Sequence, residues 1–210
     1  SRFDLAAWLR QGELEAQAIA CPTYQAKEFA NILVRYIRPL TLTPPEVFQP
    51  ELVHLCAQIG VAVVFVPELP GAKVSGATRW LTPDKALIQL SLRYKTDDHL
   101  WFTFFHEAGH ILLHGKRDVF LEDGGLTGDK EREADDFAAR TLIPPAALSG
   151  FLKKTRARIS KQAIREFAAA LGIAPGIVVG RLHHDEYLSY SHCNELRRSL
   201  TWADRKNEHS

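Results

Sequence analysis

The chain has 210 residues, of which 46% are hydrophobic and 24% are charged, a composition typical of globular proteins rather than disordered or fibrous ones. Its 26 basic and 25 acidic side chains give a formal net charge of +1, which argues against nucleic-acid binding through overall charge. The three cysteines form no Cys-x-x-Cys pair, which argues against a disulfide framework and against a cysteine zinc site. No apolar run reaches about 18 residues and no signal peptide is recognisable, so we expect a reduced, cytoplasmic protein.

Residues 1–60 are predicted to be helical because their apolar side chains recur at i, i+3 and i+4 spacing. One apolar stripe lies within 3–9 and a second lies within 29–37, where Pro39 is expected to end the helix. A third helix is predicted over about 47–58.

Three short apolar segments follow, over 61–66, 72–80 and 86–92, and each is typical of a β-strand. The turns between them look too short for crossover connections, so we expect an antiparallel meander of three strands. Beyond the meander, helices are predicted over about 99–114 and 129–142.

Two short helices, split at Gly172 and Pro175, are predicted near the C-terminus. Their apolar and glycine pattern is also that of a helix-turn-helix. However, the segment 175–182 offers only Arg181 to contact bases, so we expect a structural helical hairpin that covers the preceding domain.

The segment His106-Glu-Ala-Gly-His110 places two histidines four residues apart in a predicted helix. Residues at i and i+4 share one face of a helix, so both imidazoles can bind one metal ion. Glu107 is turned about 100° away around the helix and can reach a water on that ion rather than the ion itself. In metalloproteases this arrangement holds Zn²⁺ through the two histidines and uses the glutamate as general base.

A catalytic zinc ion needs a third protein ligand and an open position for water. His114 lies four residues beyond His110, but an uninterrupted helix carries it about 12 Å along the axis from His106, too far to bind the same ion. We expect His114 to lie at the C-terminal end of the helix, where a hydrogen-bond donor or a cation is favoured.

Three acidic residues near the start of the next predicted helix are alternatives for the third ligand. Glu131 and Asp135 share a helix face, so Glu131 can bind zinc while Asp135 accepts the free N–H of a ligating histidine. Glu133 points elsewhere and is the second choice as ligand. All three could instead be solvated residues favoured by the helix dipole.

These two segments resemble the ImmA/IrrE family of bacterial metallopeptidase domains, which have compact, thermolysin-like zinc sites. The resemblance is carried by WFTFFHEAGHILLHG at 101–115 and by EREADDFAARTLIP at 131–144, and it extends over roughly 46–185. It implies one Zn²⁺ ion, bound by His106, His110 and Glu131, with Glu107 as general base. A further donor for the oxyanion could come from the C-terminal segment, where the candidates are His183, His184, Tyr187 and Tyr190.

The resemblance implies hydrolysis of a peptide bond in a specific protein target, within a bacterial repressor or antitoxin regulatory system. The alternative function is a non-catalytic sensor domain of an XRE-type regulator. Many family members carry an XRE-type helix-turn-helix ahead of this domain and are often labelled HigA-like antitoxins. The start of this chain shows no such module and no initiator methionine. We therefore expect a zinc domain separated from an N-terminal partner, with a protein substrate or regulator as partner, DNA bound only through the missing domain, and no membrane.

The predicted fold class is α+β, with a small, mostly antiparallel sheet packed on the helix that carries the histidines and with helices at both ends of the chain. Residues 1–45 are predicted to be an N-terminal helical connector. Residues 46–150 are predicted to be the metallopeptidase-like core, and residues 151–210 a C-terminal helical segment.

Overall fold

The computed structural model of the chain describes residues 2–116, 120–121, 128–155 and 158–203. Within these ranges there are eight α-helices and four β-strands. The helices are α1 (Arg2–Gln17), α2 (Ala26–Ile32), α3 (Pro45–Ala57), α4 (Asp97–Leu113), α5 (Gly128–Leu142), α6 (Pro145–Thr155), α7 (Lys161–Leu171) and α8 (Pro175–His184). The strands are β1 (Val61–Phe65), β2 (Gly76–Thr82), β3 (Lys85–Leu90) and β4 (Phe120–Leu121). A π-helical turn (Leu33–Ile37) and a 3₁₀ turn (Arg38–Leu42) extend α2.

The predicted α+β fold class is confirmed, and the histidine segment lies in α4, which packs against the sheet. Helices lie in the N-terminal and C-terminal parts of the described chain, as expected. The last α-helix ends at His184, and 185–203 contain a 3₁₀ turn (Asn194–Leu196). No helix was predicted directly after α5, because two consecutive prolines, Pro144 and Pro145, are typical of a helix end. Pro145 is instead the first residue of α6, a position where proline is favoured because its missing N–H would have no partner in the helix.

The four strands form one mixed sheet in the order β1-β3-β2-β4. β2 is antiparallel to both β3 and β4, whereas β1 is parallel to β3. The prediction of a simple antiparallel meander was therefore wrong for the first strand, which lies beside β3 and not beside β2. The segment 66–75 passes the end of β3, where the Val66 N–H donates to the Leu90 carbonyl at 2.9 Å.

Helices cover both faces of the sheet. Val61 and Val63 of β1 belong to the main core, whereas Ala62 and Val64 belong to a second apolar cluster that includes Trp8 of α1. Consecutive side chains of a strand point to opposite faces, so both faces of β1 are buried. This explains why the segment is a continuous apolar run rather than an alternating one.

Trp8 fixes α1 to the sheet, and its truncation should destabilise the protein. The side chain is 1% exposed, and its indole N–H donates to the Val66 carbonyl at 3.0 Å. We expect Trp8→Ala to lower the free energy of unfolding by about 3–5 kcal/mol, through lost burial and the cavity left behind. Urea unfolding followed by circular dichroism measures this. Phe3→Ala on the same helix is the control, since Phe3 is 87% exposed and its loss should change stability by less than about 0.5 kcal/mol.

The predicted C-terminal hairpin is present as α7 and α8, joined at Gly172, whose φ of 68° ends α7 in the left-handed conformation. Ile177 and Val178 of α8 are buried in the main core, and α8 packs against α4. The hairpin thus places α8 beside the helix that carries the histidines.

No single helix among the described residues is long and apolar enough to cross a membrane. Within the described part of the chain, one pair of helices, α7 and α8, reaches the length and hydropathy of a span when taken together, and the two are bent by 113° relative to each other.

Candidate metal centre

The two histidines of α4 are brought to one point by the helix repeat. His106 and His110 are buried, and their Nε2 atoms lie 3.0 Å apart. Gly109, between them, allows α5 to approach closely. A Cβ at this position would lie 3.0 Å from the Phe137 ring and 3.3 Å from the Ala134 Cα. A larger residue here would therefore press α5 away from the histidines.

Glu131, in the first turn of α5, reaches the same point. Its two carboxylate oxygens each lie 3.3 Å from one histidine nitrogen, Oε2 from His106 Nε2 and Oε1 from His110 Nε2. The structure thus brings together the three residues that were predicted as metal ligands. The Glu131 side chain is 25% exposed.

The spacing of these atoms suits a small tetrahedral metal ion. Ligands bound at about 2.0–2.1 Å to a tetrahedral ion are about 3.3–3.4 Å apart. The three separations here, 3.0, 3.3 and 3.3 Å, are close to that value. The donor set of two imidazoles and one carboxylate is that of catalytic zinc sites with an open fourth position. The residues present therefore fit a metal ion.

Glu107 projects from α4 toward the start of β2. The residue is fully buried, and its backbone carbonyl accepts a hydrogen bond from the Thr78 hydroxyl at 3.2 Å. Gly76 lies beside it, and a Cβ on Gly76 would be only 2.9 Å from Glu107 Oε1. The absence of a side chain at Gly76 thus leaves room for the Glu107 carboxylate against the strand.

Asp135 contacts the outer nitrogen of His106, as the sequence predicted. Its Oδ1 atom lies 2.8 Å from His106 Nδ1, so this nitrogen donates to the carboxylate. The other ring nitrogen, Nε2, faces His110 and Glu131. Burial lowers the pKa of His106, but the hydrogen bonds to Asp135 and Glu131 raise it, and the pKa is brought to about 10. The surrounding carboxylates thus favour positive charge at this point, which also favours a divalent cation.

His110 is held through an intermediate residue, which the sequence analysis missed. Its Nδ1 atom lies 2.9 Å from His114 Nδ1, and His114 Nε2 lies 2.9 Å from Glu133 Oε2. A single proton arrangement satisfies both contacts, because His110 Nδ1–H donates to His114 and His114 Nε2–H donates to Glu133. Burial and the neighbouring His106 lower the pKa of His110 to about 3, which keeps its ring neutral.

His114 and Glu133 lie outside the group of three converging ligand atoms. His114 follows the last residue of α4 with extended backbone, φ −118° and ψ 166°, and this turns its ring back toward His110. The i+4 spacing of His114 from His110 could have indicated this contact, but it was considered only for direct binding of the metal ion.

Removing the Glu133 carboxylate, the outer member of the chain of contacts from His110 through His114, should weaken metal binding. Loss of a direct partner of a metal-binding histidine usually costs about 10–100-fold in affinity. Glu133 acts on His110 only through His114, so we expect Glu133→Gln to lower the affinity for zinc by about tenfold, the low end of that range. Competition with a fluorescent zinc chelator measures the affinity. Asp136→Asn on the same exposed side of α5 is the control and should bind zinc like the parent chain. Equal affinity in both variants would contradict a role for Glu133.

The four candidate oxyanion donors do not converge on the metal-binding group. His183 is buried, and its Nε2 donates to the His192 carbonyl at 2.8 Å. Tyr187 and Tyr190 are 53% and 69% exposed, and Tyr187 lines a separate cavity formed with α7. His184 is the one of the four that lines a cavity next to the group, beside Asp135.

Comparison with known protein families matches residues 56–183, more than half of the chain, to the IrrE N-terminal-like domain, a family of peptidases. The match includes β1 to β4, both histidines, Glu107, Glu131 and nearly all of α8. None of the curated proteins compared matches the chain. The fold brings the two histidines of α4 close to a glutamate of the next helix, which suits the metal dependence of this family. The chain belongs to the IrrE N-terminal-like family of metallopeptidase-like domains.

Proposed function

We propose that this chain is a zinc-dependent endopeptidase that cleaves a peptide bond in a specific regulatory protein. The observation that carries the proposal is the convergence of His106, His110 and Glu131, whose ligand atoms lie within 4.8 Å of one another, beside the buried Glu107. Membership of a peptidase family supports the same reaction class.

His106, His110 and Glu131 would hold the zinc ion in this proposal. When bound, zinc would supply a water of lowered pKa and would polarise the peptide carbonyl. Asp135 accepts the Nδ1–H of His106, and His114 accepts the Nδ1–H of His110, so both rings keep Nε2 available as ligand.

Glu107 is the proton carrier of the proposed reaction. Its carboxylate accepts a proton from the attacking water and then gives it to the leaving nitrogen. The Glu107 carboxylate packs against Gly76, and the backbone carbonyl of Glu107 accepts a hydrogen bond from the Thr78 hydroxyl. A group held in place in this way loses less entropy in the transition state.

The proposed target is a repressor or antitoxin-type regulator. This part of the proposal is supported by the resemblance to ImmA/IrrE domains, which occur in phage and mobile-element regulators. The near-neutral net charge favours a protein target over nucleic acid.

The proposal is tested with the zinc-loaded chain and the regulator encoded beside its gene. We expect the regulator to be cut at one or a few positions, as seen by gel electrophoresis and mass spectrometry, and we expect a chelator to stop the cleavage. An intact regulator in the zinc-loaded reaction would reject this target. If a panel of unfolded proteins also remained intact, a sensor domain would replace the peptidase.

A further inference from the structure

A cavity of about 260 Å³ lies between α4, α5 and α8. Its walls include Phe102 of α4, Ala139 and Leu142 of α5, and Ile177 of α8. Leu142 and Ile177 are buried in the main core, so the cavity penetrates between packed helices and is not a shallow surface depression.

The cavity adjoins the metal-binding group. Phe102 lies one turn before His106 on the same face of α4, and the centroids of their rings are 6.4 Å apart. Asp135, which also lines the cavity, contacts His106 Nδ1 at 2.8 Å. The cavity therefore lies beside the ring of His106, on the side that carries Nδ1.

The size and lining of the cavity suit one long side chain. Sites for whole small-molecule ligands usually measure about 300–1,000 Å³, and this cavity is smaller. Its inner walls are apolar, and its polar groups are carried by residues that include Asp136 and Asp185. An occupant with an aliphatic stem and a polar end would match both parts.

The charges around the cavity favour a cationic end. Four carboxylates line it against a single guanidinium group; the acids are Asp98, Asp135, Asp136 and Asp185, and the cation is Arg181. Asp98 is paired with Arg197 at 3.0 Å, and Asp185 is paired with Arg181 at 2.5 Å. Asp136 is exposed and forms no ion pair with any residue in the described part of the chain. It is thus available to a ligand.

We propose that this cavity receives a lysine or arginine side chain of the substrate, from a residue close to the scissile bond. The aliphatic stem contacts Phe102, Ala139 and Ile177, and the cationic head reaches Asp136. The inference rests on the proposed peptidase function and deepens it, because it names the side-chain class that this chain selects.

The inference is tested by direct binding, without hydrolysis. The zinc-loaded, ¹⁵N-labelled chain is titrated with N-acetyl-lysinamide and, separately, with N-acetyl-norleucinamide, which has a similar stem but no charge. We expect the lysine compound to shift the amide signals of Ala139 and Gly180 saturably and to bind about two- to fivefold more tightly, the range of an exposed ion pair. The acetyl cap prevents binding of zinc by a free α-amine.

Asp136→Asn should abolish this preference, and Asp129→Asn should retain it. Both residues are exposed acids of α5, but only Asp136 lines the cavity. Equal affinity for the two compounds, shifts confined to other parts of the chain, or no saturable shift would each overturn the inference.

A cleavage experiment separates this inference from the proposed function. The zinc-loaded chain is incubated with β-casein and with the neighbouring regulator, and the cleavage sites are identified by mass spectrometry. Sites flanked by lysine or arginine, and less selective cleavage by Asp136→Asn, support the inference. Cleavage without this enrichment overturns the inference and leaves the peptidase standing. Binding of the lysine compound with no cleavage of either protein overturns the peptidase, whereas the selectivity of the cavity stands.

Discussion

Glu107→Gln is expected to abolish peptide hydrolysis while zinc remains bound. Glutamine has nearly the same shape as glutamate, so it fills the buried space beside Gly76, but it cannot accept the proton of the attacking water. General-base catalysis typically contributes about 10²–10⁴-fold, so the cleavage rate should fall by at least about a hundredfold. The measurement compares the initial rate of regulator cleavage with the zinc content of the same sample.

The zinc content distinguishes loss of chemistry from loss of the site. Glu107 is not one of the three converging ligands, so the variant should bind zinc with the affinity of the parent chain. Turnover within a few-fold of the parent rate would reject Glu107 as general base. Loss of zinc together with activity would show that Glu107 acts structurally.

Glu131→Ala is expected to cause the largest loss of zinc binding among single acidic substitutions in α5. The change removes the carboxylate whose oxygens face both histidines at 3.3 Å and leaves two imidazoles alone. The loss of affinity should exceed the 10–100-fold typical of an outer-shell partner. Chelator competition measures the affinity, and the rise in melting temperature on adding zinc gives a second readout, since a ligand of the native state stabilises it.

Glu133→Ala provides the matched comparison because it lies two residues further along the same helix. Its carboxylate contacts His114 Nε2 at 2.9 Å and faces neither ligand histidine directly, so its removal should cost less affinity. Full zinc occupancy in Glu131→Ala with loss in Glu133→Ala would identify Glu133 as the third ligand.

The central part of the site could be predicted because it depends on the helix repeat. The i, i+4 relation of His106 to His110, and of Glu131 to Asp135, fixes which side chains share a face. The face of α4 that carries the histidines meets the face of α5 that carries the acids once the two helices pack together. The contact between Asp135 and His106 followed from the same reasoning.

What could not be predicted depends on where a regular element ends. His114 contacts His110 at the point where the backbone leaves the helix, and the i+4 spacing between the two residues was considered only for direct metal binding. The order of the strands was likewise missed, because apolar patterns identify a strand but not its neighbour. The chain leaves β1 and crosses to β2 without pairing with it, so β3 comes to lie between them.

The outer carboxylates of the metal centre have a consequence for how the protein can change. Asp135 and Glu133 are 55% and 61% exposed, whereas the histidines that they orient are buried. Replacing either acid removes a hydrogen bond to a histidine but creates no cavity in the packed core. Metal affinity can therefore drift, or be engineered, at positions outside the apolar core. The metal affinity of such a domain can thus change to match the metal concentration around it, while the buried histidines are kept.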